Sequence, residues 1–329
     1  MSDFVQSVPF AVVLLIIGFV FLVKGADAFV EGCSSIAKRY HVPSLIIGMT
    51  IVAMGTSLPE AAVSITASVT GNNELAISNA VGSNIFNLMV VIGVCTLFTT
   101  VAVQINTLKK DFPISIACAI LLLLLCAIGM NLGHVDGIIF IVLFALFIMY
   151  MIRSAQTSLN KKEEPDVEEA DYLLEAEEIQ EMSVAKSLIY IILGGIAITL
   201  GSDWVVDGSC TVATAFGVSQ TLIGLTIVAF GTSLPELVTS IVAARKGEVD
   251  MALGNVIGSN IFNILMVLGI AAAISPVAFL TENIIDIVVL LVFSVIVWIM
   301  AWTQKALDKK EGILMLILYA IYVVYICIR

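Results

Sequence analysis

The chain has 329 residues, of which 12% carry a charge and 60% are hydrophobic, with a mean hydropathy of +1.09. Soluble domains carry about 25% charged residues, so a water-soluble globular enzyme is excluded. The net charge of −11 is concentrated: ten of the 26 acids lie between Glu163 and Glu181, the remaining charges nearly balance, and no basic patch with interleaved aromatics points to nucleic acid.

A helix crossing the hydrocarbon core needs about 20 mostly apolar residues. Taken in chain order, ten segments qualify: 8–26, 45–70, 75–98, 114–131 and 135–152, then 184–200, 222–244, 251–274, 284–303 and 313–328. The first lacks the basic flank and cleavage site of a signal peptide and reads as a retained span. Lysine and arginine concentrate in cytoplasmic connections. Thirteen of the 15 basic residues fall after the first, third, seventh and ninth segments or around 153–186, all on one side. Both termini are therefore expected outside, with the acidic loop in the cytoplasm. The six cysteines form no CxxC pair and read as small apolar residues.

Residues 47–94 align without a gap on 223–270 at an offset of 176, with 26 identities in 48 positions. The offset spans five predicted helices, an odd number, so the copies are expected to cross the membrane in opposite directions. The expected fold is an all-α polytopic membrane protein of ten transmembrane helices in two inverted-topology five-helix repeats. These are 1–152 and 184–329, joined by a loop over 153–183. Inverted repeats of this kind build many secondary transporters, with substrate held near the midplane where the repeats meet.

The best-matching residues are polar. Thr56, Glu60 and Ser64 share one helical stripe by their four-residue spacing, and Thr232, Glu236 and Ser240 repeat it. Asn79, Ser83 and Asn87 form a third stripe, matched by Asn255, Ser259 and Asn263. An acid in an apolar span costs about 2.5–3.5 kcal/mol on insertion scales and is expected to face the bundle interior with a partner. Pro59 and Pro235 precede the two glutamates; within a helix each would free the carbonyl of Gly55 or Gly231, which a cation could satisfy. Carboxylates, hydroxyls, amides and carbonyls are hard oxygen donors suited to calcium, magnesium or sodium. For Ser64, Ser240, Asn79 and Asn255, helix packing is as good an account as coordination.

GTSLPE followed by GSNIFN, present twice, resembles the calcium/cation antiporter superfamily and specifically its sodium/calcium exchangers. The resemblance implies exchange of calcium for sodium by alternating access. It implies calcium ligands at the Glu60 and Glu236 carboxylates with the Thr56 and Thr232 carbonyls. Sodium sites would draw on Ala53, Ser57 and Ser83 and on Ala229, Ser233 and Ser259, with Asn87 and Asn263 completing the centre. Gly18, Gly25, Gly194 and Gly201 would let the first and sixth helices slide as a gate. Three sodium ions per calcium would make exchange electrogenic. Asparagine at 263 disfavours potassium co-transport, since potassium-dependent relatives tend to carry aspartate there. A proton- or potassium-coupled antiporter and an uncoupled cation channel remain the alternatives.

No cofactor is expected beyond transported calcium and sodium, and the protein is expected to work as a monomer in the lipid bilayer of the cell (inner) membrane. His41 and His134 lie at loop edges, out of reach of Ser57 and Ser233, so an intramembrane serine hydrolase has no base. Asp27, Glu31, Asp203 and Asp207 are candidate cation attractors at the two vestibules. Tyr172, Leu173, Leu174 and Ile179 could line one short amphipathic helix in the acidic loop.

Overall fold

The computed structural model describes residues 8–71, 73–160, 181–218 and 229–328. Among the described residues, eight helices are each long and apolar enough to cross a membrane: α1 (Val8–Arg39), α3 (Glu74–Phe98), α4 (Thr107–Ala127), α5 (His134–Thr157), α6 (Val184–Ala215), α8 (Val249–Ile274), α9 (Thr281–Gln304) and α10 (Lys309–Ile328). A ninth candidate is broken: α2a (Ser44–Thr56) and α2b (Leu58–Val69) meet at a 50° bend. The predicted span 222–244 begins outside the described residues; its described part is a short segment, α7a (Ala229–Gly231), followed by α7b (Leu234–Arg245). The acidic loop's predicted amphipathic helix also lies outside them.

Burial sorts these helices into layers. The most apolar stretches of α3 and α8 are 72% and 78% buried, against 17–39% for the other six unbroken spans. Every residue from Met251 to Phe262 is buried, so α8 packs on all sides, as a helix at the centre of a bundle must. Outer helices instead expose large apolar side chains such as Ile16, Val20, Leu124, Ile192 and Ile321, a surface suited to lipid and not to water. Two short antiparallel ladders tie connections together, Val101–Ala102 with Ala306–Leu307 and Asn131–Leu132 with Val277–Ala278.

The helices α1 and α6 run to 32 residues each, well past the predicted 8–26 and 184–200. Helices longer than the bilayer is thick accommodate by tilting. They cross antiparallel along a seam of small residues spaced by seven. A Cβ at Gly18 would lie 2.9 Å from the Gly201 carbonyl oxygen, and one at Gly194 would lie 2.8 Å from that of Gly25. Gly32 meets Ser187, and Gly208 meets Ala11, in the same way. The backbones approach this closely because no side chain stands between them.

Asp27 and Glu31, expected as cation attractors, are instead held by a lysine. Lys246 Nζ lies 2.7 Å from a carboxylate oxygen of each. Next to it, Glu248 accepts hydrogen bonds from Ser34 and, at 2.7 Å, from Ser44. The α7b–α8 turn therefore clasps α1. Burial by itself lowers the Lys246 pKa, but the bonds and charges of Asp27 and Glu31 outweigh it and hold the ammonium above its ordinary value. A raised lysine pKa adds stability that is complete below the ordinary value of 10.5 and disappears as pH rises through the folded-state value. Both acids are more than a third exposed, so the clasp contributes about 1 kcal/mol at most. Lys246→Met should lower the melting temperature of detergent-solubilised protein at neutral pH, and the difference from wild type should shrink in 1 M salt and as pH rises beyond 10.5 through the folded-state value. A difference indifferent to both would assign the lysine a packing role.

Candidate functional site

The site begins where two helices break. Ser57 and Ser233 have φ, ψ of −86°, 12° and −94°, 7°, outside helical geometry, and a new helix starts immediately after each. Pro59 and Pro235 fall in the first turn of α2b and α7b, where proline's missing N–H costs nothing and its fixed φ favours initiation. This corrects the expectation of a proline inside a continuous helix. It also explains how the membrane interior tolerates Glu60 and Glu236. Both stand in the first turn of a half-helix, facing its free N–H groups and the positive end of its dipole.

The freed carbonyl of Gly231 needs no cation, contrary to expectation: Ser202 of α6 donates to it at 2.8 Å.

Glu60 and Glu236 are fully buried and lie near enough for their charges to interact. Each is gripped by the serine of the other repeat. Ser57 Oγ donates to Glu236 Oε1 at 2.6 Å, and Ser233 Oγ donates to Glu60 Oε1 at 3.0 Å. The Ser83 hydroxyl also stands beside the Glu60 carboxylate, and the Thr56 hydroxyl beside that of Glu236. The two outer oxygens, Glu60 Oε2 and Glu236 Oε2, have no hydrogen-bond partner among the described residues. Neither do Asn263 Oδ1, Thr232 Oγ1 or either polar atom of Asn87.

Buried polar atoms are nearly always satisfied, so the unpartnered oxygens of Glu60 and Glu236 mark the clasp as the candidate site. The described residues contain no group of three or more His, Cys, Asp and Glu side chains placed to hold a metal ion. The donors here are two carboxylates with hydroxyls and amides, which suits hard cations.

The other predicted residues divide by role. Ala53 is buried, and its carbonyl accepts from the Ser57 N–H at 3.1 Å, with Ser259 Oγ at 3.5 Å. Ser259 thus meets the α2 break and Asn255, not Glu236. Ala229 opens α7a. Thr56 Oγ1 donates to Asn255 Oδ1 at 3.1 Å. Asn79 donates to Ser64 Oγ and the Glu60 carbonyl, and Asn255 to Ser240 Oγ, at 3.0, 3.2 and 2.9 Å. These four pin the half-helices to α3 and α8.

Sequence reasoning passed over Asn84 and Asn260, although both stand within the duplicated GSNIFN. Each donates its Nδ2 to the other's backbone carbonyl, at 3.1 and 3.2 Å. Their separation of 176 equals the repeat offset, so this contact lies where the two repeats meet on a shared axis. A π-helical turn follows in each copy, at Asn87–Val91 and Asn263–Val267; such turns are frequent at functional sites.

Two related halves meeting at a buried, oxygen-lined site between broken helices define an integral membrane protein built to pass cations. The family model described as sodium/calcium exchanger protein matches residues 10–153 and 186–328, and the chain belongs to that family of antiporters, a transporter family and not an enzyme family. The sodium/calcium exchanger MaX1 of Methanosarcina acetivorans is 33% identical over 338 residues, 94% of this chain and 97% of its own length. The inner membrane protein YrbG of Escherichia coli is 34% identical over 293 residues, 88% and 89% of the two chains. Solved structures of the sodium-calcium exchanger NCX_Mj superpose with TM-scores such as 0.83 at 30% identity, covering 97% of this chain and 100% of that one.

Proposed function

We propose that this protein exchanges calcium for sodium across the cell membrane by alternating access. The observation that carries the reading is the crossed clasp. Two buried carboxylates, one from each repeat, are held by each other's serines, with their outer oxygens left for a cation. NCX_Mj, whose structures were obtained in soaks with sodium, calcium or strontium, and MaX1 support the choice of ions.

Calcium is bound by the Glu60 and Glu236 carboxylates and the Thr56 and Thr232 carbonyls. These are the last residues before the breaks, where helix-end carbonyls lack intrahelical partners. Sodium ions use Ala53, Ser57, Ser83, Ala229, Ser233 and Ser259, with Asn87 and Asn263 at the centre. Two carboxylates neutralise one calcium, and three sodium ions leave one net charge, worth about 2.3 kcal/mol per 100 mV.

The ten helices form two inverted five-helix repeats, 1–152 and 184–329. Both termini are outside, and the acidic loop 153–183 is cytoplasmic. The long α1–α6 pair, packed tightly along its side-chain-free seam, slides as a gate over the fixed site.

Vesicles loaded with sodium test the exchange. Calcium uptake should saturate and should require the outward sodium gradient. Uptake unaffected by collapsing that gradient would mark a channel, and uptake driven by a proton or potassium gradient instead would reassign the coupling ion.

A further inference from the structure

The two repeats match residue for residue around the site, yet the hydrogen bonds of their central asparagines differ. Asn84 Nδ2 donates to a backbone carbonyl, that of Asn260. A carbonyl only accepts, so this contact fixes which end of the Asn84 amide is nitrogen. Its other end, Oδ1, must then be an acceptor, and it receives Asn263 Nδ2 at 3.1 Å. That in turn fixes Asn263: its nitrogen is committed to Asn84, and its Oδ1 is the end left buried without a partner among the described residues.

The mirror-related chain of bonds stops one step short. Asn260 donates to the Asn84 carbonyl, but among the described residues Asn260 Oδ1 has no partner, and neither polar atom of Asn87 has one. A terminal amide presents oxygen or nitrogen depending on a rotation about one soft bond, and Asn87 retains that choice. Asn263 does not.

We infer that Asn84 is a positioning residue for cation binding: it holds the Asn263 amide so that the oxygen alone faces the ions, and it does so in one repeat only. This rests on the site proposed above. Asn84 touches no ion. Its effect passes through Asn263, which enters the bound state already oriented and loses no rotational freedom there. The nitrogen of a misoriented amide would meet a cation with its positive end.

Asn84→Leu and Asn260→Leu separate positioning from mere helix contact, because each deletes one of the two bonds of the reciprocal Asn84–Asn260 clamp, whereas only the first releases Asn263. In reconstituted vesicles, Asn84→Leu should raise the half-saturating calcium concentration about fivefold, the equivalent of one net hydrogen bond, with little change in maximal rate. Asn260→Leu should leave half-saturation within about twofold of wild type at a comparable melting temperature. Equal shifts in the two variants, or none in either, would overturn the inference.

A measurement on the unmutated protein covers the case in which Asn84→Leu does not fold. With 15N-labelled asparagine, the Asn263 side-chain amide should show a higher order parameter than that of Asn87 in calcium-free buffer. Equal order would overturn the inference. Glu236→Gln in the same calcium assay keeps the two failures apart: calcium handling unchanged in that variant removes the site itself, whatever Asn84 does.

Discussion

Glu236→Gln protein should fold, melt no lower than wild type in ion-free buffer, and lose calcium uptake by about 100-fold or more. Bonds to charged groups carry about 1.5–3 kcal/mol each, and a carboxylate ligand to a divalent ion contributes at least the upper end of that range. Glutamine keeps an oxygen for Ser57, which now donates to Glu236 Oε1 at 2.6 Å, so the clasp survives while the charge is lost. Removing a charge from a fully buried position also removes its desolvation cost. Glu60→Gln should behave alike, since Ser233 grips Glu60 in the related way. The measurement is sodium-driven calcium uptake beside a melting curve. A variant that melts as wild type and still transports would dismiss the carboxylates as ligands. One that fails only by unfolding would make them structural glue.

The second large effect belongs to the α1–α6 seam. A Cβ on Gly201 would stand 2.6 Å from the Leu22 nitrogen and 2.7 Å from the Gly18 carbonyl oxygen. Both are backbone atoms and cannot rotate away, so Gly201→Leu must push the two helices apart. Overpacking costs about 1–3 kcal/mol, and transport should suffer more than stability, because the proposed gating motion moves α1 and α6 as one closely packed pair. We expect uptake reduced at least tenfold with a melting temperature lowered by a few degrees, on the order set by a 1–3 kcal/mol loss. Gly129→Ala, just beyond α4 where an added Cβ meets nothing within 4 Å, is the control and should transport normally. Full activity in Gly201→Leu would rule out a gating role for the tight α1–α6 seam.

Much of the site was legible because it is written twice. Identity at Thr56, Ser57, Glu60, Ser83 and Asn87 against their partners 176 residues on singles out the polar residues, and an acid in an apolar span is costly enough to demand a use. Other features were not legible. The proline was visible, but its consequence was not: whether it kinks a helix or starts a new one depends on what the neighbouring half-helix packs against. Ser202, which satisfies the Gly231 carbonyl, lies 29 residues from it with no motif linking them. Asp27 and Glu31 read as free acids until folding brought Lys246 from 215 residues away against Glu31. Asn84 and Asn260 lay in plain sight inside the repeated motif. Periodicity placed them off the Asn79–Ser83–Asn87 stripe, and only the crossing of α3 and α8 gives that second face a partner.

From the sequence alone come the membrane class, the duplicated halves and the two buried carboxylates, because hydropathy and repetition are properties of the chain read in one dimension. The tertiary structure decided which serine serves which glutamate, how closely α1 approaches α6, and which amide is tethered. Those depend on how helices distant in sequence cross, and identical motifs that meet across an imperfect axis need not make identical bonds.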